Sequence, residues 1–331
     1  MSLDRFLPAP LKHLLERYHN LPHIELTAYI GVSIAMLIML PALPNQETDW
    51  GKTYAPAALD WLRGVHAPWE LRPNFANPPF VLPLIAPVAL LGAHAGFVVF
   101  MALMLIALYA SARMLGGSPI LIVLSYPGIW MLAYGQFEPL VCFGAALGWY
   151  ALRREKFGLL GIAYVLLAIK PQIGFVPTLL YFLWTPTWKA RFRSCWLPAV
   201  AIGWTFVNWG LWPLDFLPRV VAADNGVAAS IGVSLWPIIG PLALALFAPA
   251  VLTPTNRKTR LLLVLAANAL ASPYSPAYSL LTLLAFPLPW WGYVAASIPA
   301  INANGSIFIR AAILLPLGLL IYRGSLPTVR E

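Results

Sequence analysis

The stretch IELTAYIGVSIAMLIMLPALP, residues Ile24–Pro44, decides the fold. A membrane-spanning helix needs about 20 mainly apolar residues, and this run supplies them. The preceding residues 1–23 carry several charges and scattered leucines, which is typical of a short amphipathic helix on the membrane surface. A signal peptide has a continuous apolar core instead, so we predict that Ile24–Pro44 is a retained first span.

The composition of the whole chain agrees with this prediction. Of its 331 residues, 60% are hydrophobic and only 10% are charged, and the mean hydropathy is +0.75. Soluble domains carry about 25% charged residues. The net charge of +9 comes from short basic clusters between apolar runs, which is typical of cytoplasmic membrane anchors and not of nucleic-acid binding.

Further apolar runs predict an all-α, polytopic membrane protein with about ten to thirteen segments. Many runs are short and contain Pro or Gly, which lipid tolerates only where neighbouring protein or a wet cavity satisfies the backbone. The runs therefore predict a cavity-lining bundle. After the first span they are Phe80–Gly92, Gly96–Met114, Pro119–Ala133, Phe137–Leu152, Phe157–Ala168, Ile173–Trp184, Trp196–Trp212, Leu235–Leu252, Leu261–Ala271, Tyr278–Trp291, Gly292–Ile301 and Ile307–Tyr322.

Basic residues set the predicted orientation. The clusters at 153–156, 189–193 and 257–260, with Arg113 and Arg323, are expected in the cytoplasm. This places the N-terminus 1–23 and the tail 324–331 inside, around one transmembrane domain, 24–323. The loops 45–79 and 213–234 fall outside. Because Arg113 is expected inside, Phe80–Gly92 is predicted to be a partial or re-entrant segment.

The first outer loop contains TDWGKTYAPAALDWLRG, residues Thr48–Gly64. Four carboxylates lie in or beside it, those of Glu47, Asp49, Asp60 and Glu70. Residues 54–64 predict a short interfacial helix closed by Gly64. Asp49 is a candidate functional acid, although an acid at this boundary can simply face water among interfacial Trp and Tyr side chains.

Other candidates lie at predicted hairpin tips on the same outer face. Gln136 and Glu138 occur in YGQFEPL, where an acid marks function unless it reaches water. Lys170, in LLAIKPQIGF, suits an anionic headgroup or phosphate, or it snorkels to the interface. Arg219 and Arg310 are further cationic candidates, and Arg310 could equally be paired structurally.

The sequence lacks the motifs that are typical of metal sites and of nucleotide binding. There is no HExxH motif, no cysteine pair with metal spacing and no Gly-rich nucleotide loop, so no metal and no cofactor is predicted. Cys142 and Cys195 are expected to be buried filler.

In its ordered motifs the chain resembles the integral-membrane GT-C glycosyltransferases, specifically bacterial polyprenyl-phosphate-mannose-dependent mannosyltransferases of the family 87 type. The motifs are Asp49 after the first span, Tyr54, Ala57-Ala58, Gly64, Asn77-Pro78-Pro79-Phe80, Gly135-Gln136, Lys170-Pro171 and Ser272-Pro273-Tyr274-Ser275. The family often has an aromatic residue where this chain has Asn77, and Asn or a similar residue where it has Glu138.

This resemblance implies a GT-C-like bundle in a bacterial-type plasma membrane and transfer of a mannose-like hexose, with inversion, on the outer face. The donor would be a polyprenyl-phosphate sugar and the acceptor a lipid or glycan. Asp49 would be the general base, and Lys170 and Arg219 would hold the lipid phosphate. The resemblance also implies that substrate contacts come from Gln136, Glu138, Tyr54, Ser272 and Tyr274.

Two other functions stay open at this point. One is a non-catalytic membrane subunit or degenerate relative within a complex of partner membrane subunits. The other is a transporter of lipids or small molecules, which predicts internal repeats with matching broken helices. The sequence shows no convincing repeat.

Overall fold

A computed structural model describes residues 22–39, 48–72, 74–214, 232–297 and 313–321. Within these ranges every regular element is helical, and the one β-type pairing is an isolated antiparallel bridge between Gly232 and Pro276. The all-α prediction is therefore confirmed over the described residues. Glu47, Arg219, Arg310, most of loop 213–234, the tail 324–331 and residues 1–21 of the predicted amphipathic N-terminus lie outside them.

The helices are numbered here in chain order. They are α1 (Pro22–Met39), α2 (Ala55–Leu62), α3 (Pro68–Leu71), α4 (Leu82–Ala89), α5 (Ala93–Leu115), α6 (Pro119–Leu124), α7 (Tyr126–Tyr134), α8 (Glu138–Arg153), α9 (Phe157–Ala168), α10 (Pro171–Trp184), α11 (Trp188–Trp209), α12 (Trp236–Ile239), α13 (Phe247–Leu252), α14 (Arg257–Ala271), α15 (Leu281–Leu284), α16 (Trp290–Ser297) and α17 (Leu314–Ile321).

One described helix, α5, is both long and apolar enough to cross a membrane by length and composition. Four shorter apolar helical segments accompany it: His23–Met39, Pro79–Ala89, Phe157–Ala168 and Trp236–Leu252. A helix rises about 1.5 Å per residue, so the eight-residue α4 extends about 12 Å and is too short to cross the hydrocarbon core by itself. The full count of ten to thirteen membrane segments stays a prediction.

Proline and polar caps divide several runs that the hydropathy pattern leaves continuous. The run Pro119–Ala133 is two helices, because Ser125 is extended and its hydroxyl accepts a hydrogen bond from the Gly128 amide (3.2 Å). The run Leu235–Leu252 consists of α12, a 3-10 segment and α13. The short helix predicted before Gly64 is confirmed as α2, and Gly64 has a φ of +86°.

Helix α8 lies at the centre of the bundle and packs against α5, α9 and α10. Its small residues Gly144, Ala145, Ala146 and Gly148 are buried, which lets neighbouring helices approach closely. The Tyr181 hydroxyl of α10 reaches across to donate to the Ala145 carbonyl (2.6 Å). This packing aligns the first residues of α8 with the start of α10.

The bundle has two chemically different ends. Glu25, near the start of α1, pairs with Arg113 near the end of α5 (Nη1–Oε2, 3.3 Å), so these two helices run in opposite directions. Lys258 lies at this end too, beside Gly116 at the end of α5, together with its neighbours Arg153 and Arg257; we call this the basic end. Asp49 and Glu138 lie at the other, where α5 and α8 begin; we call it the site end.

Candidate active site

Asp49 opens the segment that follows the first predicted span. It directly precedes a π-helical turn, Trp50–Tyr54, which continues into α2. Trp50 is fully buried, stacks on Phe100 with ring centroids 4.7 Å apart, and donates from Nε1 to the Ala93 carbonyl (3.2 Å). Trp50 and Tyr54 are therefore core residues that fix the segment against α5, not members of an interfacial aromatic belt.

Gln136 links the acid to the rest of the site from the turn between α7 and α8. Its side-chain Nε2 donates to the Asp49 carboxylate. Its Oε1 accepts from both Lys170 Nζ (2.9 Å) and the Tyr54 hydroxyl (3.2 Å). Gln136 is 1% exposed, so one buried amide holds an acid, a phenol and an amine in a fixed order.

Lys170 lies between α9 and α10 and forms a close ion pair with Glu138. Its Nζ also lies 5.0 Å from the centre of the Tyr278 ring. Lys170 is 6% exposed and Glu138 2% exposed, so the snorkelling interpretation of Lys170 and the water-facing interpretation of Glu138 are both wrong. We call Asp49, Tyr54, Gln136, Glu138 and Lys170 the Gln136 cluster.

Two asparagines hold the backbone on either side of Lys170. Asn77 donates from Nδ2 to the Ile169 carbonyl (3.0 Å). Asn268 donates from Nδ2 to the carbonyls of Gln172 and Ile173, each at 3.1 Å. Sequence reasoning noted Asn77 only as a departure from a family motif and missed Asn268, whose one signal is a lone amide within an apolar helix.

The motif that begins at Ser272 approaches the cluster through its tyrosines. The Ser272 hydroxyl donates to the Tyr274 carbonyl (2.9 Å), so this serine shapes the turn after α14. The hydroxyls of Tyr274 and Tyr278 lie 3.3 Å apart, and Tyr278 in turn contacts Lys170. Sequence reasoning named Tyr274 and missed Tyr278, which lies four residues later in the same aromatic motif.

Burial controls the electrostatics of Asp49 and Tyr54, the acid and the phenol of the segment that follows the first predicted span. Burial raises the pKa of the Asp49 carboxyl above its usual value, while the Lys170 charge, the Gln136 amide and Lys52 oppose the shift. Burial, reinforced by the Asp49 and Glu138 charges, raises the pKa of Tyr54 well above the usual value for a phenol. Tyr54 therefore remains a neutral hydrogen-bond donor near neutral pH.

Asp60 is an acid of the same segment that belongs to a different group of side chains. It pairs with Arg72 (Nε–Oδ2, 3.1 Å) and with Arg63 (Nη1–Oδ1, 3.7 Å). Asp49 is therefore the acid of this segment that contacts Gln136. Within the described residues, no group of three or more His, Cys, Asp and Glu side chains could hold a metal ion.

Comparison with known proteins gives one match. A family model described as glycosyltransferase family 87 matches residues 75–271, more than half of the chain. A search among curated proteins returns no match, and neither does a search among solved structures. The matched segment contains Gln136, Glu138 and Lys170, together with both asparagines that hold the Lys170 loop. The chain therefore belongs to glycosyltransferase family 87.

Proposed function

We propose that this protein is an integral-membrane glycosyltransferase that moves a mannose-like hexose from a polyprenyl-phosphate donor to a lipid or glycan acceptor. The reaction takes place on the outer face and inverts the anomeric centre. Membership of a glycosyltransferase family supports the transferase activity. The observation that carries the finer proposal is the chain of contacts from Asp49 through Gln136 to Lys170.

This arrangement suits a general base beside a phosphate-binding cation. The Asp49 carboxylate would take the proton of an acceptor hydroxyl as that oxygen bonds to the anomeric carbon. The bond from that carbon to the donor phosphate oxygen would break, and its electron pair would leave with the phosphate. Proton removal by a placed carboxylate contributes about 10²–10⁴-fold to the rate.

Lys170 is suited to stabilise the charge that develops on the departing phosphate. An ammonium group has three donors, and the described residues use two of them, at Gln136 and Glu138. One donor therefore remains for a phosphate oxygen. A buried ammonium interacts more strongly with such a charge than an exposed one, because less water screens it.

Glu138 has a free acceptor for substrate hydroxyls. Its Oε2 is buried and has no hydrogen-bond partner among the described residues. An unsatisfied buried carboxylate oxygen is costly, and a sugar or acceptor hydroxyl would satisfy it. The proposed contacts of Tyr54, Ser272 and Tyr274 with substrate are of the same kind, as is that of Arg219, which lies outside the described residues.

A non-catalytic relative remains the second candidate because of one observation. Lys170 is already neutralised by Glu138, so the described site has no unpaired cation waiting for phosphate. In this alternative the Gln136 cluster would have a structural role, in which its buried contacts hold the helices in one arrangement. The same assay separates the two functions.

The experiment follows release of polyprenyl phosphate by protein reconstituted in lipid with a panel of polyprenyl-phosphate sugars and membrane-extract acceptors. We expect Asp49→Asn to lower release by about 10²-fold or more, since the variant lacks the base. Glu70→Gln, which changes an exposed acid of the same segment, is the matched control and should keep wild-type activity.

Equal release by wild type and Asp49→Asn would remove Asp49 from its role while retaining the enzyme. A folded wild-type sample that releases nothing from any donor would favour the non-catalytic relative.

A further inference from the structure

The basic end contains a cavity that the proposed transfer reaction does not use. Its volume is about 110 Å³, and it is lined by Trp149, Leu152, Arg153 and Arg257. A single water needs about 10–15 Å³, so the cavity has room for a larger polar group. It lies where the end of α8 meets the start of α14.

The polar side chains that line this cavity are all hydrogen-bond donors. The two guanidinium groups and the Trp149 indole donate and have no acceptor atoms. The Trp149 Nε1 has no hydrogen-bond partner among the described residues. This composition selects an anion and disfavours a cation.

The cations at this cavity have no acidic partner among the described residues. Arg153, Arg257 and the adjoining Lys258 form no ion pair within the part of the chain that the structure describes. Lys258 is only 9% exposed, and burial together with the nearby Arg153 lowers its pKa. By contrast, Arg113 at the same end is paired with Glu25. An anion in the cavity would relieve the repulsion among the three unpaired cations.

The position of the cavity indicates where its ligand comes from. Helix α8 has 16 residues and rises about 24 Å from Glu138 to Arg153, so the cavity lies about that far along the bundle from the candidate active site. Leu252, five residues before Arg257, is 77% exposed and offers an apolar surface for an acyl chain. Basic pockets between membrane helices are suited to anionic lipid headgroups.

We propose that the Arg153–Arg257 cavity binds the phosphate group of an anionic phospholipid from the leaflet opposite the candidate active site. The two guanidinium groups donate to the phosphate oxygens, and the charge of Lys258, which lies near Arg153, adds attraction. The lipid contributes no step to sugar transfer. It bridges α8 and α14, which both extend to the site end of the bundle.

The test is native mass spectrometry of the purified full-length protein titrated with phosphatidylglycerol, in the absence of any sugar donor. The double variant Arg153→Gln/Arg257→Gln is compared with Arg154→Gln/Arg193→Gln. All four arginines are exposed, and the control variant removes the same charge from two of them that do not line the cavity.

We expect the cavity variant to bind phosphatidylglycerol about tenfold more weakly or worse, because it loses two charge-assisted hydrogen bonds. The control variant should stay within about twofold of wild type, and phosphatidylcholine with the same acyl chains should bind weakly to all three.

Equal phosphatidylglycerol affinity in the two double variants would overturn the proposal. So would inorganic phosphate that binds wild type as tightly as the lipid does, because the cavity would then bind a free anion. If the cavity double variant does not fold, Arg257→Gln alone is compared with Arg193→Gln under the same criteria. Since no donor is present, the outcome is independent of whether the protein transfers sugar.

Discussion

Gln136 bonds at once to a carboxylate, a phenol and an ammonium group, and its own amide is thereby held in one orientation. The order of contacts requires Nε2 toward Asp49 and Oε1 toward Lys170, since an acid accepts and an ammonium donates. Glutamate at this position could not donate to Asp49. The identity of this one side chain therefore decides whether the acid and the cation share a site.

The raised pKa of Asp49 determines the pH dependence expected of transfer. A general base acts only when deprotonated. An ordinary Asp has a pKa of about 3.9, and burial raises the pKa of Asp49 above its usual value. Activity should therefore rise with pH along an acid limb whose midpoint lies above that value. A pH profile of kcat/KM, measured on wild type, locates the midpoint; an acid limb at or below the ordinary Asp value would contradict the assignment.

Glu138 and Lys170 form a buried pair whose loss should be visible without any substrate. Removing one partner of such a pair typically costs about 3–5 kcal/mol, because the other charge is left uncompensated. Glu138→Gln should therefore lower the melting temperature of the donor-free protein. It should also increase the stabilisation that added polyprenyl phosphate produces, since the phosphate then supplies the missing negative charge.

The comparison for Glu138→Gln is Glu155→Gln, which neutralises an exposed acid that forms no ion pair among the described residues. An unchanged melting temperature in Glu138→Gln would mean that the pair is not charged in the folded protein.

At the scale of the element, the turn from α7 to α8 positions Gln136. Gly135 ends α7 with a φ of +71°, in the left-handed region that glycine adopts freely. A Cβ added there would lie 2.9 Å from the Phe97 ring and 3.0 Å from the Trp50 side chain. The turn therefore packs against Trp50, which also fixes the Asp49 segment against α5.

Gly135→Ala should consequently destabilise the protein and misplace Gln136. The left-handed conformation costs a non-glycine residue about 1–2 kcal/mol, and overpacking about 1–3 kcal/mol more. Gly158→Ala is the matched control, because a Cβ there meets no atom within 4 Å. Thermal melting of the two variants checks the prediction, and equal melting temperatures would refute the close packing at Gly135.

Helical segments of this chain were more predictable than their exact lengths. The short helix before Gly64 follows from local small and apolar residues and a terminating glycine, and α2 has that form. The division of Pro119–Ala133 at Ser125 was not expected, because hydropathy averages over a single capping hydroxyl. Caps and turns depend on individual atoms, whereas hydropathy depends on composition.

At the scale of the whole molecule, the arrangement of ends predicts the topology in a membrane. Arg63, with a side chain 73% exposed, belongs to the loop 45–79 that is predicted to lie outside, and exposed Arg154 belongs to the basic end. In a Cys195→Ser background, Arg63→Cys and Arg154→Cys should react with a membrane-impermeant maleimide from opposite sides of the membrane. Cys142 is fully buried and should not interfere. Labelling of both positions from the same side would contradict the predicted topology.

By itself, the sequence determined that the protein is helical and predominantly apolar, and it singled out Asp49, Gln136, Glu138 and Lys170 as candidates. These conclusions depend on composition and on short local motifs, which a chain carries before it folds. Only the tertiary structure decided that Gln136 joins these residues, that Tyr278 covers Lys170, and that Asn77 and Asn268 hold the Lys170 loop. Each of these contacts connects residues far apart in the chain, so its existence depends on how the helices pack and not on any local pattern.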